Sequence, residues 1–184
     1  FNEVAKDMPA ALPGIFTLTT SGPERTAFPH TNTGMRKIVP GDGVIICRQV
    51  SINGYRAQSD RLGFLGQHSS EQAKYYQIVL EAHSAALETI RPGVSAADID
   101  KRIREVYAKH GLEQYFVHRA GSGLGINVAE PPYMRFDSQE TIEQNMVLVI
   151  QPAIYLPGVG GFRRTDTVAV TADGCELLTN YAGD

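Results

Sequence analysis

The spacing of apolar and polar residues changes character along the chain. The apolar run VIIC at 44–47 follows the turn-forming PGDG and predicts a strand. A second extended segment is expected from about Ile52 to Leu65, with Asn53-Gly54 as the hairpin turn between the two. From Ser69 the period becomes helical: Tyr76, Val79, Leu80, His83, Leu87 and Ile90 share a face, Ser69 and Gln72 form a capping-box pattern, and Pro92-Gly93 stops the run. A single apolar stripe of this kind covers a sheet. A second helix opens at Ser95, puts Ile99, Ile103, Val106 and Tyr107 on one side and ends at His110-Gly111. The period then falls to two. MVLVIQPAIYLP (146–157) and TDTVAVT (165–171) read as strands, and Ala172-Asp173-Gly174 turns the chain into a last strand, CELLT. Residues 15–43, rich in Thr, Gly and Pro, read as loops around short extended pieces. Strands, two central helices and strands again give an α+β domain with its sheet covered on one face.

The composition narrows the classes of function. At 184 residues the chain suits one well-buried core, so residues 1–184 are expected to form a single domain. With 42% hydrophobic residues, 20% charged and a net charge of −3, it reads as an ordinary soluble globular protein. Arg163-Arg164 is too small a basic cluster to follow a phosphate backbone, so nucleic acid is not an expected partner. No apolar run reaches the roughly 20 residues needed to span a bilayer, and FNEVAKDMPAALPG lacks the build of a signal peptide. No membrane association and a cytoplasmic location are the expectations. Cys47 and Cys175 are too few and too far apart for a disulfide framework. The first residue is Phe rather than Met, which is consistent with a missing N-terminal portion.

The stretch HRAGSGLGINVAEPP (118–132) invites a phosphate-loop reading, which its spacing refuses. A dinucleotide fingerprint needs G-x-G-x-x-G opening into a helix, whereas Gly121, Gly123 and Gly125 lead into Pro131-Pro132. A P-loop would need Gly-Lys-Ser/Thr, which is absent. The pattern fits an extended strand whose alternate residues lack side chains, so that a ligand or another backbone can come close.

Taken in order, SGPERTAFPH, PGDGVIIC, NGYRAQSDRLGFLG, the capped helix with RPGVSAADID, HRAGSGLGINVAEPP and NMVLVIQPAIYLPGVGGFRRTDTVAVTADGCELLT resemble the creatinase/aminopeptidase P group of pita-bread hydrolases over roughly residues 20 to 180. The resemblance implies a curved antiparallel sheet covered by helices, a homodimer and a preceding N-terminal domain. In the metal-dependent members two Asp, one His and two Glu hold a pair of divalent ions. Matched motif by motif, these positions carry Cys47, Gln58, Ser122, Gln151 and Thr165. Four carboxylates are lost, and two divalent cations need hard anionic oxygens to compensate their charge, so no metal and no other cofactor is expected. A second functional histidine of the group falls on Ala129, beside Glu130. His30 matches a histidine that the group uses near its substrate, and Arg61 and Arg163 stand at family arginines.

Each of these residues also has a plain reading. His30 is either an acid/base group near neutrality or a loop histidine satisfied by its neighbours. Arg61 and Arg163 are expected to pair with carboxylates such as Asp60 or Asp166. Cys47 reads first as a small buried hydrophobe and second as a thiol at the floor of the former metal pocket. His118 is placed to line the same cavity, while His68, His83 and His110 read as helix-flank residues. The replacements are neutral but polar. Burying such groups without partners costs about 1 to 3 kcal/mol each, so their retention points to a cavity that still holds water or a polar ligand.

Three functions remain open. The first is a metal-independent hydrolase of a C–N bond in an amino-acid-like or guanidino compound. His30 would move protons, Gln58, Ser122, Gln151 and Thr165 would hold the substrate, and Arg163 or Arg164 would take a carboxylate. The second is a catalytically inactive relative that binds a small molecule or peptide, or serves as an interaction domain. The third is a mononuclear metal site rebuilt from Cys47, His30 and His118.

Overall fold

A computed structural model of the chain describes residues 11–13, 17–32 and 34–179. Most of the N-terminal segment tested above for a signal peptide lies outside them. Among the described residues every strand pairing is antiparallel.

The first sheet is built on a long hairpin. Strand β3 (Gly43–Ile52) pairs with β4 (Tyr55–Phe64) along its whole length, and on its other edge with the short strands β1 (Ala11–Pro13) and β2 (Leu18–Ser21). Asn53 and Gly54 turn the hairpin at φ 52° and 89°, the left-handed pair that a two-residue loop of matching twist requires. Both strands are longer than the apolar run suggested. Ile45, Cys47, Gln49 and Ser51 all point inward, and the last two are polar, so they hide the period of two in a hydropathy reading. Within the loop-like region after β2, Pro23–Thr26 form a single turn of helix, α1, with Pro at its start.

Helices α2 (Ser70–Thr89) and α3 (Ala96–Lys109) come next and pack against each other. Ser69 Oγ accepts from the Gln72 amide while the Gln72 side chain accepts from the Ser69 amide, so the expected capping box is formed. Ser95 caps α3 by accepting from the Ala97 amide. The buried face of α2 carries small residues: Ala82, Ala85 and Ala86 lie beside Val79, and these let α3 approach with Ile99 and Ile103 fully buried. Each such isoleucine contributes about 1.5 to 3 kcal/mol by leaving water.

The second sheet has the order β11-β10-β7-β5-β6, from Cys175–Leu177, Asp166–Val170, Val147–Ile150, Gly121–Gly123 and Glu130–Met134. The run 146–157 is therefore two strands. Pro152 has no amide to give a ladder, and beyond it β8 (Ala153–Leu156) pairs, among the described residues, with β9 (Gly160–Arg163) alone. The two larger sheets are stitched together where β4 meets the Asp166–Val170 strand. Asp60 and Thr165 exchange backbone hydrogen bonds of 3.2 and 3.1 Å, and Thr167 Oγ1 donates to the Gln58 carbonyl while accepting from its amide. No helix among the described residues is long and apolar enough to cross a membrane.

Candidate functional site

The glycines of HRAGSGLGIN are explained by the sheet itself. A Cβ on Gly121 would lie 2.0 Å from the Val149 carbonyl oxygen, and one on Gly123 would lie 2.3 Å from that of Pro131. It is the neighbouring backbone that approaches closely, with Ser122 left between the two glycines and fully buried.

A cavity of about 130 Å³ opens beside this strand. His30, Cys47, Gln58, His118, Ser122, Gln151 and Arg163 all line it, so the fold brings together residues spread over more than 130 positions of sequence. The hairpin supplies Cys47 and Gln58 from its inward face, the glycine strand Ser122, the end of β7 Gln151, and β9 Arg163. Thr165 stands behind this wall, fully buried, with Oγ1 3.4 Å from Arg163 Nε. His30 is on the loop after α1 and stays exposed at the rim.

Two residues that sequence reasoning did not place in the site organise it. Asp60 faces Cys47 across the hairpin and is completely buried. Its Oδ2 lies 2.7 Å from Arg163 Nε, and both its oxygens accept from the Gln58 amide nitrogen at 3.3 and 3.2 Å. None of residues 47, 58, 122, 151 and 165 is a carboxylate, yet Asp60 places an acid directly behind the wall. Asp60 lies two residues beyond Gln58 on the same strand, so the period of two was the signal that could have found it.

Tyr155 is the second. His118 Nδ1 is 2.8 Å from the Arg119 carbonyl, which can only accept, so Nδ1 carries the proton and Nε2 is a lone pair. Tyr155 therefore donates its hydroxyl to Nε2 at 3.0 Å and accepts from Arg163 Nη1 at 3.4 Å. Burial and the Arg163 charge push the His118 pKa down to about 3, consistent with that neutral tautomer. Tyr155 continues the alternation of Val149 and Gln151, both of which line the cavity.

The remaining candidates separate cleanly. Burial, then the charge of Asp60, push the Cys47 thiol up to about 12, so it is a protonated, buried group and not a thiolate. Desolvation and then Arg163 lower the pKa of His30, which keeps it neutral and able to accept a proton near pH 7. Arg164 and Arg61 are bound to Asp166 at 2.7 Å each and take no part in the cavity wall. His83 does not sit on a helix flank. It is buried, with Nε2 3.0 Å from Asp166 Oδ2. Burial alone would raise the Asp166 pKa, but hydrogen bonds from His83, Thr179, Arg164 and Arg61 hold it far below the usual carboxylate range.

The metallopeptidase family M24 pattern matches residues 3–172. The chain belongs to that family. A Xaa-Pro dipeptidase of Pyrococcus furiosus is 35% identical over 170 residues, covering 92% of this chain and 49% of that protein. Its counterpart in Pyrococcus horikoshii is 34% identical over 92% of this chain and 48% of its own length. The solved structure of the P. furiosus prolidase superposes with a TM-score of 0.91 at 34% identity, over 98% of this chain and 55% of that one. The X-Pro aminopeptidase of Thermotoga maritima gives 0.89 at 31% identity over 94% and 49%. The pita-bread fold expected from the sequence is thus established, and the chain spans about half the length of these relatives.

Against the M24 background the donor set does not fit a pair of divalent ions. Its members at the matched positions are a protonated thiol, two amides and two hydroxyls, all neutral. The one carboxylate present is already paired with Arg163. Among the described residues no three of His, Cys, Asp and Glu converge on a point, which also leaves the rebuilt site from Cys47, His30 and His118 without support.

Proposed function

We propose that this chain is an M24 domain that binds a small polar molecule in the cavity between its two larger sheets without metal-dependent peptide hydrolysis. The observation that carries the reading is the exchange at the cavity wall. Neutral Cys47, Gln58, Ser122, Gln151 and Thr165 stand at the metal positions, and a guanidinium and a carboxylate, Arg163 and Asp60, neutralise each other beside them. The relatives named Xaa-Pro dipeptidases supply the scaffold of this proposal. A solvent-open concavity with a few fixed polar groups among apolar ones has the build of a small-molecule site. A thermal-shift screen of the purified chain against small metabolites, with Xaa-Pro dipeptides and Mn²⁺ assayed in parallel, tests it. Saturable stabilisation without product is the expected result. Dipeptide hydrolysis that rises with added metal would overturn it.

One observation keeps the hydrolase reading in play. His30 is neutral near pH 7, exposed and on the cavity rim, where it can take a proton from water attacking a bound C–N substrate. Turnover by the metal-stripped protein that disappears in His30→Ala would establish that reading over simple binding.

A further inference from the structure

The charge of the cavity wall has changed sign relative to a site built for cations. Its lining includes two guanidinium groups, Arg119 and Arg163, and no carboxylate. Asp60, behind the lining, compensates one of the two charges. The other ionisable groups that line the space, His30, His118 and Cys47, contribute none: His30 is neutral near pH 7, His118 is a neutral tautomer fixed by the Arg119 carbonyl, and Cys47 is a buried thiol beside a carboxylate. One net positive charge remains.

We infer that the cavity takes the carboxylate group of a small organic acid, held by Arg163 at the floor and Arg119 at the mouth. The inference rests on the binding reading above and narrows it, because a guanidino compound without a carboxylate carries the wrong charge for this wall. Arg163 is oriented for the task. Nε is engaged by Asp60 and Thr165 and Nη1 by Tyr155, which fixes the plane of a group that has five N–H donors in all. Arg119 is stacked over the Tyr133 ring, 5.4 Å from its centroid. The Gln58 amide nitrogen is given to Asp60, so its carbonyl oxygen is turned away from that carboxylate and offers an acceptor. A carboxylate followed by an N–H, as in an N-acylated amino acid, matches donors at the floor with an acceptor beside them. At about 130 Å³ the space suits a compound of that size or the end of a peptide, not a folded partner.

Calorimetric titration of the full chain with N-acetylglycine, N-acetylglycinamide and methylguanidine at constant ionic strength tests the charge rule. N-acetylglycine is expected to bind saturably, and its neutral amide and the cation at least about tenfold more weakly. Arg119→Gln, at an exposed position, should fold normally and lose about tenfold in affinity for the acid alone, since one charge-assisted contact goes. Arg163→Lys serves as the second variant, and loss of acid binding by a folded protein supports the assignment. Equal binding of acid and amide, preference for the cation, or no effect of Arg119→Gln would overturn it. If the amide or the cation binds instead, the cavity is still a binding site and only the charge rule fails. If no compound of any charge binds in this titration or the metabolite screen, both readings fail.

Discussion

Nε of Arg163 lies 2.7 Å from Oδ2 of Asp60, with the two side chains 6% and 0% exposed. The pair joins β9 to β4 and sits where the fold would otherwise have a bare buried charge. Removing one partner leaves the other uncompensated. Asp60→Asn is therefore expected to destabilise the fold by about 3 to 5 kcal/mol, while Asp60→Leu combined with Arg163→Met should recover much of that loss. Urea denaturation of the wild type and both variants checks it, and a single mutant no weaker than the double would mean that the pair is solvated.

The metal prediction follows from the same wall. Protein expressed in medium supplemented with Mn²⁺, Co²⁺ or Zn²⁺ should carry far less than one ion per chain, and chelation should leave its melting temperature unchanged. Elemental analysis reads the stoichiometry.

Gly121→Ala places a methyl carbon 2.0 Å from the Val149 carbonyl oxygen, so the central strand must separate from its neighbour. Loss of well over 2 kcal/mol, or failure to fold, is expected. Gly54→Ala is the control. It has open space around it and a φ of 89°, and should cost only about 1 kcal/mol. Similar losses at both positions would mean that conformation rather than contact explains Gly121.

How much of this was legible in the sequence depended on whether a pattern was local. The capping box at Ser69, the Asn53-Gly54 turn and the ends of α3 follow from residues adjacent in the chain, and each formed as expected. The outward reach of β3 was hidden because its inner face turns polar at Gln49 and Ser51, beside a site. Motif matching gathered the cavity-lining residues, but the partners of those residues were a matter of register. Asp60 was expected to satisfy a sheet-edge arginine, and it does pair with one; only the hairpin register opposite Cys47 makes that arginine part of a site. His83 was misjudged because a helical stripe does not say that a carboxylate from a distant strand will meet it.

His118 offers a pH test of the hydrogen-bond chain. Its folded pKa is pushed down to about 3 from an ordinary 6.5, so between those values the unfolded chain binds the proton and the folded chain does not. Stability is therefore fully present above pH 6.5 and is lost progressively as the pH falls toward 3. Protonation would give Nε2 a hydrogen that points at the Tyr155 hydroxyl, force that hydroxyl to turn, and bring a second positive charge near Arg163. His118→Gln can still accept from Tyr155 through its amide oxygen but has nothing to titrate. Its urea midpoint is expected to fall less than that of the wild type between pH 6.5 and 4, with the two converging above pH 7. The lowered His30 adds a smaller slope of the same sign, so His30→Gln should flatten the profile less than His118→Gln. Parallel profiles for wild type and His118→Gln would show that the acid sensitivity arises elsewhere and that the Arg163, Tyr155 and His118 chain does not hold the histidine neutral.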